Sequence, residues 1–449
     1  MRILIIRPRD RLRYPRLFAR LFRIQEVGLL MIAESIRNLA DVVYVDENYQ
    51  DIPDSSGFDV VLISVQTHLA PRAYYLAEYF RTRKKTVILG GPHVTLCPEE
   101  SLLHADSIVI GPGDHIIRDV VCDIKKGTLR RIYDGKPWHS HFISPYYGLI
   151  QSKALYELLP VIISRGCQHK CSHCVIATTN CGQLSTRDAN EVLADISRIK
   201  SSRFYFVDDN LLANRQTLLR VLRYLARYPR HYKWAGQITT QIIRDKEVMD
   251  LLEPSGCKLL FIGFDSLQEV SLRQVGSFKA SQKDLFAQTV SKSHALGISV
   301  IGSFMFGLDG DKPGDIVSCA KEAIDVGLDI AAFNIFTPIP GTNAYDRYVA
   351  QGRIFNYDLS QYDFKNVVFT PKHFSPSELL NEFNEATRVF YGLKSILRRI
   401  PKMRNKRAMI PFNLLYNMEI AKLLHLQWRR DSLLTHNECS FRNWRNNVS

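Results

Sequence analysis

Over residues 1–135, short apolar runs alternate with amphipathic stretches. The runs are residues 2–7 (RILIIR), 41–45 (DVVYV), 59–64 (DVVLIS), 86–90 (TVILG) and 107–110 (SIVI). Between them, residues 28–39 set Leu29, Leu30, Ile32, Ile36 and Leu39 on one helical face, and residues 71–82 read as a second helix. A strand that is apolar along its whole length is buried on both faces. The alternation therefore predicts a parallel sheet with helices on either side. In such a doubly wound, Rossmann-like α/β domain the ligand lies beyond the C-terminal ends of the strands.

Residues 136–159 lose the pattern, are rich in turn formers and read as a linker. The alternation restarts over 160–356 with six strand candidates: 160–164, 203–207, 237–241, 258–263, 299–306 and 330–337. Helical segments such as 188–201, 216–227 and 281–296 separate them. Six successive βα units predict a (βα)6 partial TIM-type barrel, with its chemistry at the C-terminal ends of the strands. Residues 357–449 open irregularly and become mainly helical from Pro376.

The chain has 449 residues, 46% of them hydrophobic, which is ample for two or three cores. No apolar run reaches the ~20 residues of a membrane span. The start, MRILIIRPRD, is charged too soon for a signal peptide, so the expected compartment is the cytoplasm. Nine cysteines, an odd number scattered except for one cluster, make no disulfide framework. Cys97, Cys122, Cys181, Cys257, Cys319 and Cys439 read as packing or surface residues.

The net charge of +14 looks like a nucleic-acid signal, but residues 393–430 alone hold ten Lys/Arg against one acid, Glu419. The excess is local, no recognition module is visible, and nucleic acid is not an expected partner. Ile396, Leu397, Ile400, Met403 and Leu414 interleave with those cations. Two readings stay open: a core-covering tail with solvated charges, or an interfacial helix pair that rests on anionic lipid. The second reading would place the protein peripherally at the inner face of a membrane.

Directly after the first barrel strand comes SRGCQHKCSHC, with Cys167, Cys171 and Cys174 at C-x3-C-x2-C spacing. So short a loop can wrap three thiolates around three corners of a cubane. Fe–S clusters are held by such thiolates, usually four, so three leave one iron open to an exchangeable ligand. Structural zinc wants four closed ligands, commonly as two separated pairs. His169, His173 or Cys181 could complete a set, but three cysteines within eight residues at a barrel mouth do not resemble a zinc knuckle.

C-x3-C-x2-C after strand one of a partial barrel resembles the radical S-adenosylmethionine (SAM) superfamily. The resemblance implies that Cys167, Cys171 and Cys174 hold a [4Fe–4S] cluster whose open iron binds SAM. An external one-electron reductant then drives cleavage of SAM to a 5′-deoxyadenosyl radical. By the same resemblance, FVDDN (206–210) puts Asp208 and Asp209 near the methionine end of SAM. In IGFDS (262–266), Asp265 stands where the family carries Glu. Gly302 and Gly307 lie on the fifth strand, where backbone approaches the adenine, although a strand glycine also marks a bulge. His173 occupies the place of an aromatic residue that many relatives carry near the adenine.

Three strand ends of the first domain resemble those of cobalamin-binding domains in radical SAM proteins: ISVQTH (63–68), LGGPHVT (89–95) and IGPG (110–113). The resemblance implies cobalamin contacts at Ser64, Thr67, Gly90, Gly91, Pro92, His93 and Gly111. Gly90 and Gly91 would let a flat edge approach the backbone, though a tight turn accounts for them as well. The D-x-H-x-x-G motif that gives cobalt a histidine elsewhere is missing, and the usual Gly-Glu of the third segment is Gly113-Asp114. FTPIPGTNAY (336–345) is similar to the T-P-x-P-G-T segment of this branch, whose C-methyltransferases act on lipids, porphyrin-type rings and natural products. That implies methylation of an unactivated carbon in a small-molecule or lipid-like substrate. The alternatives are ring closure or carbon–carbon coupling without methyl transfer, a first domain that is only a scaffold, and a non-catalytic Fe–S or cobalamin sensor.

Overall fold

The computed structural model describes residues 1–10, 22–135, 143–150, 156–180, 182–228, 232–276 and 285–418. In chain order the first strands are β1 (Arg2–Arg7), β2 (Phe22–Ile24), β3 (Asp41–Asp46), β4 (Val60–Ser64), β5 (Thr86–Gly90), β6 (Ser107–Ile110) and β7 (Ile132–Asp134). Six of them form one parallel sheet in the order β3-β1-β4-β5-β6-β7. Successive strand side chains point to opposite faces. Ile3 and Ile5 therefore join Leu29, Ala33, Ile117 and Val121 of the helices Val27–Ile36 and Gly113–Lys126. Leu4, Ile6, Val61 and Ile63 meet Ala73, Ala77 and Phe80 of the helix Ala70–Arg81 on the other face. Each such aliphatic side chain stabilises the fold by about 1.5–3 kcal/mol on burial. This is the doubly wound domain that the sequence predicts, with β7 added at one edge.

The later strands are β8 (Tyr156–Val161), β9 (Ser164–Gly166), β10 (Leu184–Thr186), β11 (Arg203–Phe206), β12 (Lys233–Ile238), β13 (Cys257–Asp265), β14 (Ser299–Phe306) and β15 (Ile330–Ile335). β8 and β11 to β15 form the expected parallel partial barrel, in sequence order. A seventh strand departs from the expected six: β2 pairs in parallel with β8, Phe22 opposite Tyr156. Residues 1–135 thus lend a strand to the barrel and cover the edge β8 would otherwise present. The first barrel strand also lies earlier than residues 160–164, because Ser164–Gly166 peels off into an antiparallel hairpin with β10. β12 begins at Lys233 rather than at Gln237. Trp234 is its core residue: it is buried edge-on to Phe206, with Nε1 donating to Ser255 O at 3.1 Å.

A capping box at Ser375 and Glu378 starts the helix Pro376–Tyr391, which lies against Asp315–Val326. Leu393–Arg399 follows, and residues 406–418 are helical. This segment closes the N-terminal end of the barrel: Met403 and Met409 pack on Ile330 and Ile301. Asn405 Nδ2 donates to Lys258 O at 2.7 Å, and Ser299 Oγ donates to Arg404 O at 3.0 Å. Several cations of the basic tract are structural. Arg399 is fully buried over the Phe390 ring, donating to the carbonyls of Leu328, Asp329 and Phe390. Lys402 and Arg404 donate to Asp325 O and His294 O. Lys422, Arg429 and Arg430 lie outside the described residues. Among the described residues, no helix is long and apolar enough to cross a membrane.

Candidate functional site

The cysteine loop leaves the barrel just past β8 and is anchored on several sides. Asp208, fully buried at the end of β11, accepts from Ile163 N at 3.0 Å, Ser164 N at 2.5 Å and Ser164 Oγ at 2.8 Å. Burial, opposed by these donated bonds, pushes its carboxyl up to about 7. Asp209 accepts from Gly166 N at 3.0 Å, and burial raises its pKa as well. The two acids expected at the methionine end of SAM thus hold the backbone that feeds Cys167. Gly166 has φ of +95°, and a Cβ there would run into Asn180 and the Gln183 carbonyl. Farther along the loop, Ser172 O accepts from Ala344 N at 3.0 Å and Ser172 Oγ donates to Gln274 O at 3.3 Å.

Cys167, Cys171 and Cys174 are partly buried free thiols on this loop, and Cys174 caps the helix Val175–Thr179. Structural zinc wants four closed ligands, and this loop offers three thiols. Among the described residues, His93, Cys97 and Glu100 place ligand atoms within 4.8 Å of one another. Burial raises the pKa of the Cys174 thiol, so the thiolate depends on the pull of a bound cation. Three thiols on one short loop fit a [4Fe–4S] cluster with one open iron. Cys181 lies outside the described residues.

The other expected SAM positions lie on β13, at and just past β14, and within the loop itself. Asp265 has φ of +63°, in a break of register between β13 and β14, a strained conformation for a residue other than glycine. Gly302 faces the helix layer: a Cβ there would meet Leu328 at 2.9 Å and the Phe264 ring at 3.0 Å. Gly307, at φ +89°, directly follows β14 and donates its N–H to Asp311 at 2.9 Å. His173 lies in the turn between the second and third cysteines.

In the first domain the strand order reverses between β1 and β4, and a doubly wound sheet binds ligand beyond the strand ends at such a point. Ser64 Oγ there donates to Glu26 at 2.9 Å. Gly91, at φ +106°, lies so close to the next strand end that a Cβ would fall 2.9 Å from Val65 N. Gly90 ends β5, Pro92 starts the helix Pro92–Leu96, and Gly111 N donates to Thr95 Oγ1 at 2.9 Å. His93 is wholly buried, its Nδ1 3.3 Å from Thr67 Oγ1 and its Nε2 3.1 Å from Tyr74 OH. The ring braces the loop from inside, and burial pushes the neighbouring Cys97 thiol up to about 11.

A cavity of about 1790 Å³ joins this crevice to the barrel interior. Arg7, Arg9, Asp10, Glu26, Gln66 and His68 line its first-domain side, and Tyr205, Gln237, Phe261, Ile301 and Asn334 the barrel side. None of the three cysteines lines it. Gln237 links the lining to the loop's anchor, its Nε2 donating to Asp209 O at 3.5 Å. Sequence reasoning missed the crevice residues, although R-P-R-D directly after an all-apolar strand was a signal. The two domains also meet at the cysteine loop itself. Helix Pro92–Leu96 lies against Val175–Thr179, and Gly341, at φ +82°, comes so near that a Cβ would sit 2.8 Å from Leu96 O. Arg165 reaches across to Asp114 with both terminal nitrogens, at 3.0 and 3.2 Å.

A doubly wound domain set against a parallel barrel that bears a three-cysteine loop defines a two-domain α/β class with two candidate ligand regions. The family models are more particular. The Radical SAM superfamily model matches residues 161–323, and the B12 binding domain model matches residues 18–121. The chain thus carries a radical SAM domain and a B12-binding domain. Those domains imply a [4Fe–4S] cluster, SAM and cobalamin. It is similar to two proteins of Chlorobaculum tepidum. Bacteriochlorophyllide d C-12(1)-methyltransferase is 27% identical over 83% of this chain and 84% of the relative. Bacteriochlorophyllide d C-8(2)-methyltransferase is 26% identical over 85% and 88%. The fold is similar to that of the radical S-adenosylmethionine methyltransferase TsrM from Kitasatospora setae, solved with cobalamin and a [4Fe–4S] cluster. The TM-score is 0.63 at 14% identity, covering 90% of this chain and 91% of that one.

Proposed function

We propose that the chain is a cobalamin-dependent radical SAM C-methyltransferase that acts on an unactivated carbon of a porphyrin-type ring or similar lipid-like molecule. One observation carries the reading: the helix that follows Gly90-Gly91 packs on the helix that follows Cys174. Both cofactor regions therefore face one interface. When bound, SAM on the cluster supplies a carbon-centred radical, and cobalamin supplies the methyl group.

The chain's own work is to place and shield. Cys167, Cys171 and Cys174 would hold the cluster, and Asp208 and Asp209 fix their loop. Asp265 would offer a carboxylate toward the ribose or amine of SAM, and the strand ends that carry Gly90, Gly91 and Gly111 would border the corrin. Tyr205, Phe261 and Ile301 give the cavity an apolar wall that suits an apolar body. Gln237 and Asn334 supply polar contacts on the same lining. A porphyrin-type substrate is favoured because both Chlorobaculum relatives are named for bacteriochlorophyllide d.

The test is anaerobic turnover with a bacteriochlorophyllide, a reductant and methyl-deuterated SAM. The expected result is deuterium in the product, with S-adenosylhomocysteine and 5′-deoxyadenosine formed in equal amounts. 5′-Deoxyadenosine with a modified but unlabelled product would favour ring closure or coupling. An intact cluster that forms neither nucleoside would favour a sensor.

A further inference from the structure

Arg165 and Asp114 come from different domains, and neither is used by the reading above. Arg165 stands two residues before Cys167, in the short strand β9. Asp114 sits in the first turn of Gly113–Lys126, directly after the third strand end of the B12-type domain. Their pairing is a parallel fork: Nη1 donates to Oδ1 at 3.0 Å and Nη2 to Oδ2 at 3.2 Å. Asp114 is 3% exposed and the Arg165 side chain 18%.

Both ends are fixed. The Asp114 carbonyl accepts from Ser35 Oγ at 2.6 Å, tying it to the helix Val27–Ile36. Arg165 pairs with Ser185 in the hairpin, and its neighbours Ser164 and Gly166 are held by Asp208 and Asp209. A bidentate guanidinium–carboxylate pair fixes distance and angle together, which a lysine cannot do. Asp114 has a short side chain, and Arg165 reaches across to meet it.

We propose that Asp114 and Arg165 are positioning residues, a strut that sets the separation between the cysteine loop and the B12-type domain. The idea rests on the proposed two-cofactor reading. The test uses the full chain reconstituted with iron, sulfide and hydroxocobalamin, then reduced with dithionite. Pulsed electron paramagnetic resonance measures the distance between cob(II)alamin and the reduced cluster. Asp114→Asn and Arg165→Lys should each broaden the distance distribution without loss of iron, and the swapped pair Asp114→Arg/Arg165→Asp should narrow it again.

Hydrogen exchange on the cofactor-free chain gives a second readout. Either single variant should speed exchange about tenfold in both segments 113–126 and 164–174, which corresponds to ~1.4 kcal/mol of coupling. An unchanged distance distribution, or faster exchange in one segment alone, would overturn the strut. Failure of the wild-type chain to take up cobalt would instead overturn the methyl-transfer reading, and the exchange experiment would still decide the strut.

Discussion

Cys167 should be indispensable and Cys97 dispensable, although both are partly buried thiols. Cys167→Ala is expected to lose the visible absorbance and iron of the reconstituted cluster, while Cys97→Ser keeps them. The spacing of three cysteines was legible in the sequence because a short loop leaves little conformational choice. The role of His93 was not legible. A histidine after a strand can face a ligand or the core, and only the packing of Thr67 and Tyr74 around the ring decides between them. Asp208 has the same ambiguity, since its contacts with Ile163 and Ser164 join residues more than forty apart. Gly91 is the clearest backbone case, with φ of +106° and ψ of −177°, a region open almost only to glycine. Gly91→Ala should lower stability by about 2–4 kcal/mol in chemical denaturation, through strain and contact with the Val65 backbone.

At the scale of elements, strands such as β1 and β5 were readable within a residue, because burial on both faces leaves an unbroken hydrophobic run. The strands β2, β7, β9 and β10 span three residues each, and nothing local distinguishes them from loop. Their partners create them. The basic tract was half legible: its composition stood out, but not that Arg399 serves as an internal bolt. Burial lowers the pKa of Arg399 to about 10. Arg399→Met would strand several buried carbonyls and should cost about 3–5 kcal/mol. Lys394→Ala, in the same tract, should change stability by less than about 0.5 kcal/mol.

Asp311 closes the loop after β14, accepting from Gly307 N, Leu308 N and Ser271 Oγ. Burial raises its pKa to about 6 from 3.8, so the folded state favours the protonated acid. Its contribution is full at low pH and is lost as pH rises through about 6, by up to ~3 kcal/mol. Melting curves from about pH 4 to about pH 7 should therefore fall more steeply for the wild type than for Asp311→Asn.

At the scale of the whole molecule, two ligand-binding architectures meet at one loop. The order of the domains was visible in the sequence, and so was the class of each. Their junction was not, because Arg165–Asp114, Gly341 against Leu96, and β2 on β8 are contacts between distant parts of the chain. That junction brings the two ligand regions to one interface, as a shared reaction requires. The most direct test is to reconstitute the chain without oxygen, using iron, sulfide and hydroxocobalamin, and to count bound metal. The account predicts about four irons and about one cobalt per chain, with the iron lost and the cobalt kept in Cys167→Ala. A wild-type chain that takes up iron but no cobalt, or a Cys167→Ala chain that keeps its iron, would contradict it.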